Sequence, residues 1–132
     1  MTVLELNHVA LHVRDLDRST AFYGGVLGLP RLPRPDFPFA GAWYALGTQE
    51  LHLIVDEALP AEERHHGHFA LRVENAAAAQ QELTARGVRE MSGPAPRPDG
   101  ALQIFLTDPD GHRVELLDTS TIIPGEADTT TC

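Results

Sequence analysis

The sequence predicts an α+β fold of two tandem modules, each a strand, a helix and three further strands. Three observations predict it. His68-Phe-Ala-Leu-Arg-Val73 echoes His8-Val-Ala-Leu-His-Val13, with His, Ala, Leu and Val at matching places, and an internal repeat of this kind outranks local propensity. Each of these alternating segments leads into a helical stretch closed by a glycine, Gly28 or Gly87. Last, the apolar runs Leu102 to Leu106 and Val114 to Leu117 flank Asp108-Pro109-Asp110-Gly111, where Pro presets one backbone angle and Gly supplies a positive φ, so this stretch reads as a hairpin. The expected organisation is module 1 over residues 3–56, a linker over 57–66, module 2 over 67–118 and a flexible tail over 119–132.

In chain order, Val3 to Val13 alternates as a strand, with Val9, Leu11 and Val13 on one face and His8, Ala10 and His12 on the other. Asp15 to Leu27 reads as a helix capped by Asp15 or Asp17, with Ala21, Phe22, Val26 and Leu27 as its apolar contacts. The proline-rich run 30–41 excludes central strand or helix and predicts a short strand near Leu29, then an ordered loop. Trp43 to Leu46 and Leu51 to Val55 are strands joined across Gly47-Thr48. In the second module Asn75 to Arg86 is helical, a short strand lies near Val88, and a loop runs from Gly93 to Gly100 before the hairpin.

Composition narrows the function. The chain has 132 residues, 42% of them hydrophobic, enough for one core or two small halves. A net charge of −9 argues against nucleic acid and anionic membrane as partners. All ten basic residues are arginine, so there is no lysine for a Schiff base or a phosphate loop. Cys132 is the single cysteine, which excludes a disulfide framework and a cysteine zinc site. No apolar run could span a bilayer and the opening MTVLELNH lacks the pattern of a secretory signal, so the expectation is a cytoplasmic protein. No GxSxG motif occurs, and nucleophilic hydrolysis has no support.

Both modules carry a candidate metal ligand on the first strand and another on the last. These are His8 and His52 in the first module, His68 and Glu115 in the second. His52 lies within Leu51-His52-Leu53-Ile54 and Glu115 within Val114-Glu115-Leu116, each a polar residue in an apolar strand. A buried carboxylate is costly unless something positive meets it. Were the two sheets to face each other, all four side chains could converge. A set of three histidines and one glutamate suits Zn²⁺, Ni²⁺, Fe²⁺, Co²⁺ or Mn²⁺ better than Ca²⁺ or Mg²⁺.

Four motifs carry a family resemblance: Asn7-His8-Val-Ala-Leu-His-Val, Phe22-Tyr23 with Val26-Leu27-Gly28-Leu29, Gly67-His68-Phe-Ala-Leu-Arg-Val, and Asp108-Pro-Asp-Gly-His-Arg-Val-Glu115-Leu. Through them the chain resembles the vicinal oxygen chelate superfamily, which includes glyoxalase I, fosfomycin-resistance thiol transferases, extradiol dioxygenases and bleomycin-resistance proteins. The resemblance covers Leu4 to Leu117. It implies paired βαβββ modules whose mixed sheets curl around a cavity, and a homodimer, often with metal sites shared between chains. It places the family's ligands on His8, His52, His68 and Glu115, one divalent metal per site. It further implies a small substrate whose two adjacent oxygens the metal chelates, with an enolate or enediolate stabilised and Glu115 moving the proton. That is an isomerase or lyase outcome of the lactoylglutathione lyase type.

Departures from the pattern bear on this. Glyoxalase I presents a carboxylate where this chain has His52, so a divalent site here would carry net +1 and Glu115 would be its only base. The fosfomycin transferases carry a threonine where this chain has Ala10. Four ligands in an octahedron leave two positions, which substrate chelation would fill, and this weighs against dioxygenase chemistry unless His52 is not a ligand. An Fe or Mn extradiol-type dioxygenase, a thiol transferase and a metal-free binding protein of the bleomycin-resistance kind remain the alternatives.

Further residues are candidates for a substrate pocket. His12 shares a face with His8, but four strand residues span about 13 Å, too far to bind the same ion. Arg72 lies on the face of His68 and could hold a substrate carboxylate or pair with an acid. Trp43 and Tyr44 are expected as aromatic walls. His65, His66 and His112, in linker and turn, are expected to be solvated.

Overall fold

The computed structural model describes residues 1–59 and 67–123. It divides into two compact units, Met1–Glu63 and Arg64–Cys132. The expected linker histidines His65 and His66 and the tail beyond Ile123 lie outside the described residues.

The first unit runs β1 (His8–Val13), α1 (Leu16–Thr20), a π-helical turn (Ala21–Val26), β2 (Arg31–Leu32), β3 (Gly41–Leu46) and β4 (Gln49–Val55). Its four-stranded sheet has the order β1-β4-β3-β2. The β3–β4 pair is an antiparallel hairpin turned at Gly47, while β1 and β4, joined through the helix and two strands, are parallel. Strand alternation does the sorting. Leu11, Val13, Ala42, Tyr44, Leu51 and Leu53 are buried on the face that the helix covers with Ser19 and Tyr23. His8, Ala10 and His12, with Trp43, Glu50 and His52, occupy the other face.

Two expectations for this unit are corrected. The first strand starts at His8 rather than Val3, because the register pairs His8 with Glu50 and β4 begins only one residue earlier, leaving nothing to pair with residues 3–6. Leu4 is accordingly 90% exposed. The helix is capped as expected, with the Asp15 carboxylate accepting from the Arg18 amide at 3.1 Å. Its second half is π-helical, with the Leu27 amide donating to the Phe22 carbonyl at 2.9 Å. Gly24 and Gly25, poor helix formers, favour this loosening. The buried side chains are therefore Ser19 and Tyr23, and the expected contact Ala21 is exposed.

The second unit runs β5 (His68–Arg72), α2 (Ala76–Ala85), β6 (Met91–Pro96), β7 (Leu102–Thr107) and β8 (Arg113–Asp118). The order β5-β8-β7-β6 repeats that of the first unit, again with the first and last strands parallel. This is the predicted fold: an α+β chain of two tandem modules, each with a mixed sheet. The Asn75 side chain caps α2 by accepting from the Ala78 amide at 2.9 Å. Asp118, at the end of β8, accepts from the Ala76 amide at 2.9 Å and so ties the helix start to the sheet. Val114, Leu116, Ile104, Leu106, Ala76 and Leu83 are the buried apolar residues of this unit's strands and helix.

One expectation here fails. The short strand expected near Val88 begins only at Met91, and it continues as β6 to Pro96 through the start of the stretch expected as a loop from Gly93. Its prolines are tolerated because β6 is an edge strand with an irregular register between Ser92 and Ala95. Gly93 has φ +91°, and a Cβ there would lie 2.2 Å from the Gln103 carbonyl oxygen on β7. Among the described residues no helix is long and apolar enough to cross a membrane.

Candidate metal centre

The predicted donors meet in pairs diagonally across the parallel strands, His8 standing opposite Glu50 and His68 opposite Arg113. In the first unit β4 lies between β1 and β3, with His52 opposite Ala10 on one side and Trp43 on the other. The small Ala10 leaves room for the His8 ring to lean across, and three rings stack over three strands. Trp43 and His52 lie with centroids 3.9 Å apart and planes 2° from parallel, and His8 covers the other side of His52 at 4.2 Å. The side chain of His52 is only 12% exposed.

Each histidine of this pair has one nitrogen held by a neighbour. His8 Nδ1 donates to Asn7 Oδ1 at 2.8 Å, and His52 Nε2 donates to Glu50 Oε1 at 2.8 Å. A carbonyl or carboxylate oxygen can only accept, so both ring nitrogens carry their hydrogen there. In the neutral rings that leaves His8 Nε2 and His52 Nδ1 as the lone-pair nitrogens, the arrangement in which metal-binding histidines are held by an outer partner.

The second unit repeats the pattern position by position. Glu115 stands opposite Ala70 on one side and Phe105 on the other, as His52 stands between Ala10 and Trp43. His68 Nε2 lies 3.1 Å from Glu115 Oε1, with the Glu115 side chain 6% exposed. Gln103 Nε2 donates to Glu115 Oε2 at 3.3 Å. Phe105 meets the edge of the His68 ring at 5.8 Å, and Arg113 lies over the Phe105 ring at 4.3 Å. Arg97 is fixed by two bonds to Asp99, at 2.8 and 2.9 Å. Those bonds hold its pKa above the ordinary value, and the Glu115 charge adds to the same effect.

The donor chemistry fits a divalent transition metal. Imidazole nitrogens and a carboxylate suit such ions, and His68 Nε2 and Glu115 Oε1 stand 3.1 Å apart, the separation of a histidine–carboxylate pair. Among the described residues no three His, Cys, Asp or Glu side chains form a group. The donors stand as the pair His8 and His52 in one unit and the pair His68 and Glu115 in the other.

The pocket candidates separate. Trp43 belongs to the donor face through its stack on His52. Tyr44 does not: adjacent strand residues face opposite ways, and Tyr44 is buried on the helix side, where its hydroxyl oxygen would lie 3.3 Å from a Cβ built on Gly24. His12 pairs with Asp56 at 3.2 Å at the far end of β1. Arg72 is exposed on the face of His68. His112 donates its backbone amide to the Asp108 carboxylate in the hairpin turn, at 2.8 Å.

Sequence reasoning missed Asn7, Glu50 and Gln103 as partners of the donors. Asn7 and Glu50 were open to it: Asn7 adjoins His8, and Glu50 shares a face with His52 by the two-residue strand period. Gln103 needed the β7–β8 register, which the turn alone leaves open.

Two sheets built on one strand–helix–three-strand plan, each with a candidate donor pair on the face away from its helix, define a tandem βαβββ protein. The chain belongs to the Glyoxalase/Bleomycin resistance protein/Dioxygenase superfamily, whose family model matches residues 5–116. It is 31% identical over 127 residues to a lactoylglutathione lyase of Salmonella typhimurium, covering 87% of this chain and 93% of the relative. A lactoylglutathione lyase of Neisseria meningitidis is 29% identical over 124 residues, covering 86% and 90%. Among solved structures, a glyoxalase family protein of Bacillus anthracis superposes with a TM-score of 0.78 at 27% identity, covering 89% of this chain and 97% of that one. A fosfomycin resistance protein of Listeria monocytogenes shares the fold, with a TM-score of 0.72 at 23% identity and coverage of 87% and 91%.

Proposed function

We propose that this protein is a metal-dependent lyase or isomerase of the lactoylglutathione lyase type. Its substrate is a small molecule with two adjacent oxygens, and the working form is a homodimer. The observation that carries the reading is the Glu115 carboxylate, buried and held at Oε2 by Gln103 while Oε1 faces His68. The lactoylglutathione lyases to which the chain is similar support the reaction type. His8, His52, His68 and Glu115 are the ligand candidates for a divalent ion, with Zn²⁺, Ni²⁺, Fe²⁺, Co²⁺ and Mn²⁺ the candidate metals. When bound, such an ion supplies Lewis acidity toward the two substrate oxygens.

The chain supplies the remaining parts. The Glu115 carboxylate takes the proton from the carbon bearing the hydroxyl and returns it to the neighbouring carbonyl carbon, while the hydroxyl proton passes to the former carbonyl oxygen, so the rearrangement gains and loses no atoms. Gln103 keeps the other carboxylate oxygen from swinging away. Trp43 and Phe105 wall the donor faces with apolar surface, which strengthens electrostatic interactions nearby.

The test is the hemithioacetal of glutathione and a 2-oxoaldehyde, offered to protein loaded with each candidate ion while thioester formation is followed. Turnover is expected, and Glu115→Gln should lower it by about 10²–10⁴-fold, the usual contribution of a positioned acid–base group. Full turnover by that variant would remove Glu115 from the chemistry. No turnover with any ion would overturn the lyase reading.

A further inference from the structure

We infer that Glu50 is a positioning residue that fixes the tautomer of His52, so that His52 offers a metal its Nδ1 rather than its Nε2. The inference rests on the metal reading above for its consequence, but not for its geometry. His52 cannot choose its orientation freely. Its ring is clamped between Trp43 and His8, with centroids 3.9 and 4.2 Å away, so only the ring edge is open to hydrogen bonding. On that edge Nε2 lies 2.8 Å from Glu50 Oε1, and Nδ1 has no protein partner among the described residues. A carboxylate accepts only, so the neutral ring carries its hydrogen on Nε2 and its lone pair on Nδ1.

The equivalent histidine–carboxylate pair of the second unit is built differently. There the residue two before the central side chain is Arg113, not an acid, and its guanidinium lies over Phe105. Glu50 is therefore a feature of the first unit alone. It sets a carboxylate beside the strand position that holds the His52 imidazole. Its side chain is 36% exposed, against 6% for Glu115, which suits a supporting partner better than a buried ligand. Carboxylates behind metal-binding imidazoles orient the ring and raise its basicity.

Two variants and two readouts test this. In chelator-treated full-length protein, ¹⁵N NMR of the His52 ring should report the Nε2–H tautomer. Glu50→Gln, whose amide oxygen still accepts, should keep that tautomer, and Glu50→Leu should lose it. Zn²⁺ affinity, measured by competition with a chromophoric chelator, should fall about 10–100-fold in Glu50→Leu and stay near the native value in Glu50→Gln. An unchanged tautomer in Glu50→Leu would overturn the inference. So would equal losses of affinity in both variants, which would make Glu50 itself a ligand. Should native protein bind no Zn²⁺, the metal reading falls, while the NMR result still decides whether Glu50 sets the tautomer.

Discussion

Glu115 sits in an environment that would be costly without a partner: a carboxylate on a strand where Val114 and Leu116 are buried and where it is itself almost wholly covered. Gln103 is the neutral donor that meets it. Gln103→Leu should weaken Zn²⁺ binding about tenfold by freeing the carboxylate, and should lower the unfolding free energy by about 1–3 kcal/mol because a buried carboxylate oxygen loses its donor. Chelator competition and urea denaturation on the same preparations check both figures, and native affinity in the variant would strip Gln103 of this role. The four donor candidates were legible in the sequence because each is a polar break or a leading histidine in a period-two strand, placed at equivalent points of a repeat. Glu50 and Gln103 were less so. A polar residue on an open sheet face is ordinary, and only the partner across the strand makes it part of a site. Tyr44 was misjudged for a reason already in the sequence: Trp43 and Tyr44 are neighbours on one strand and cannot share a face.

At the level of elements, helices and strands followed from caps, glycines and alternation, and the misses have local causes. The proline content of β6 hid an edge strand. A pair of glycines in the first helix loosened its ladder and moved its buried face to Ser19 and Tyr23. Asp118 illustrates a link between elements that local patterns do not contain, since it closes β8 and caps α2 across the chain. The Ser120 hydroxyl and the Ala76 and Ser120 amides all donate to its carboxylate and hold its pKa below the ordinary value. A depressed carboxylate stabilises the fold above its unfolded-state pKa, near 4, and this contribution is lost as the pH falls through the folded-state value. Denaturant midpoints of native protein and Asp118→Asn should therefore lie further apart at pH 7 than at about pH 3. An equal gap at both would show that the carboxylate charge is not what matters.

For the molecule as a whole, duplication is the organising fact. The register places Ala10, His52 and Trp43 in one sheet as it places Ala70, Glu115 and Phe105 in the other. The repeat was visible in two six-residue segments, but its extent across all three inner strands required the pairing of each sheet. Similarity to lactoylglutathione lyases over most of the chain fixes the family, and the donor pairs supply the chemical reason to expect a metal. The most direct test is calorimetric titration of chelator-treated protein with Zn²⁺ and Ni²⁺, alongside His68→Ala. One ion bound per chain, with binding lost or strongly weakened in His68→Ala, is the predicted result. Native protein that takes up neither these ions nor Fe²⁺, Co²⁺ or Mn²⁺ would contradict the account, and so would a His68→Ala variant that binds as tightly as native.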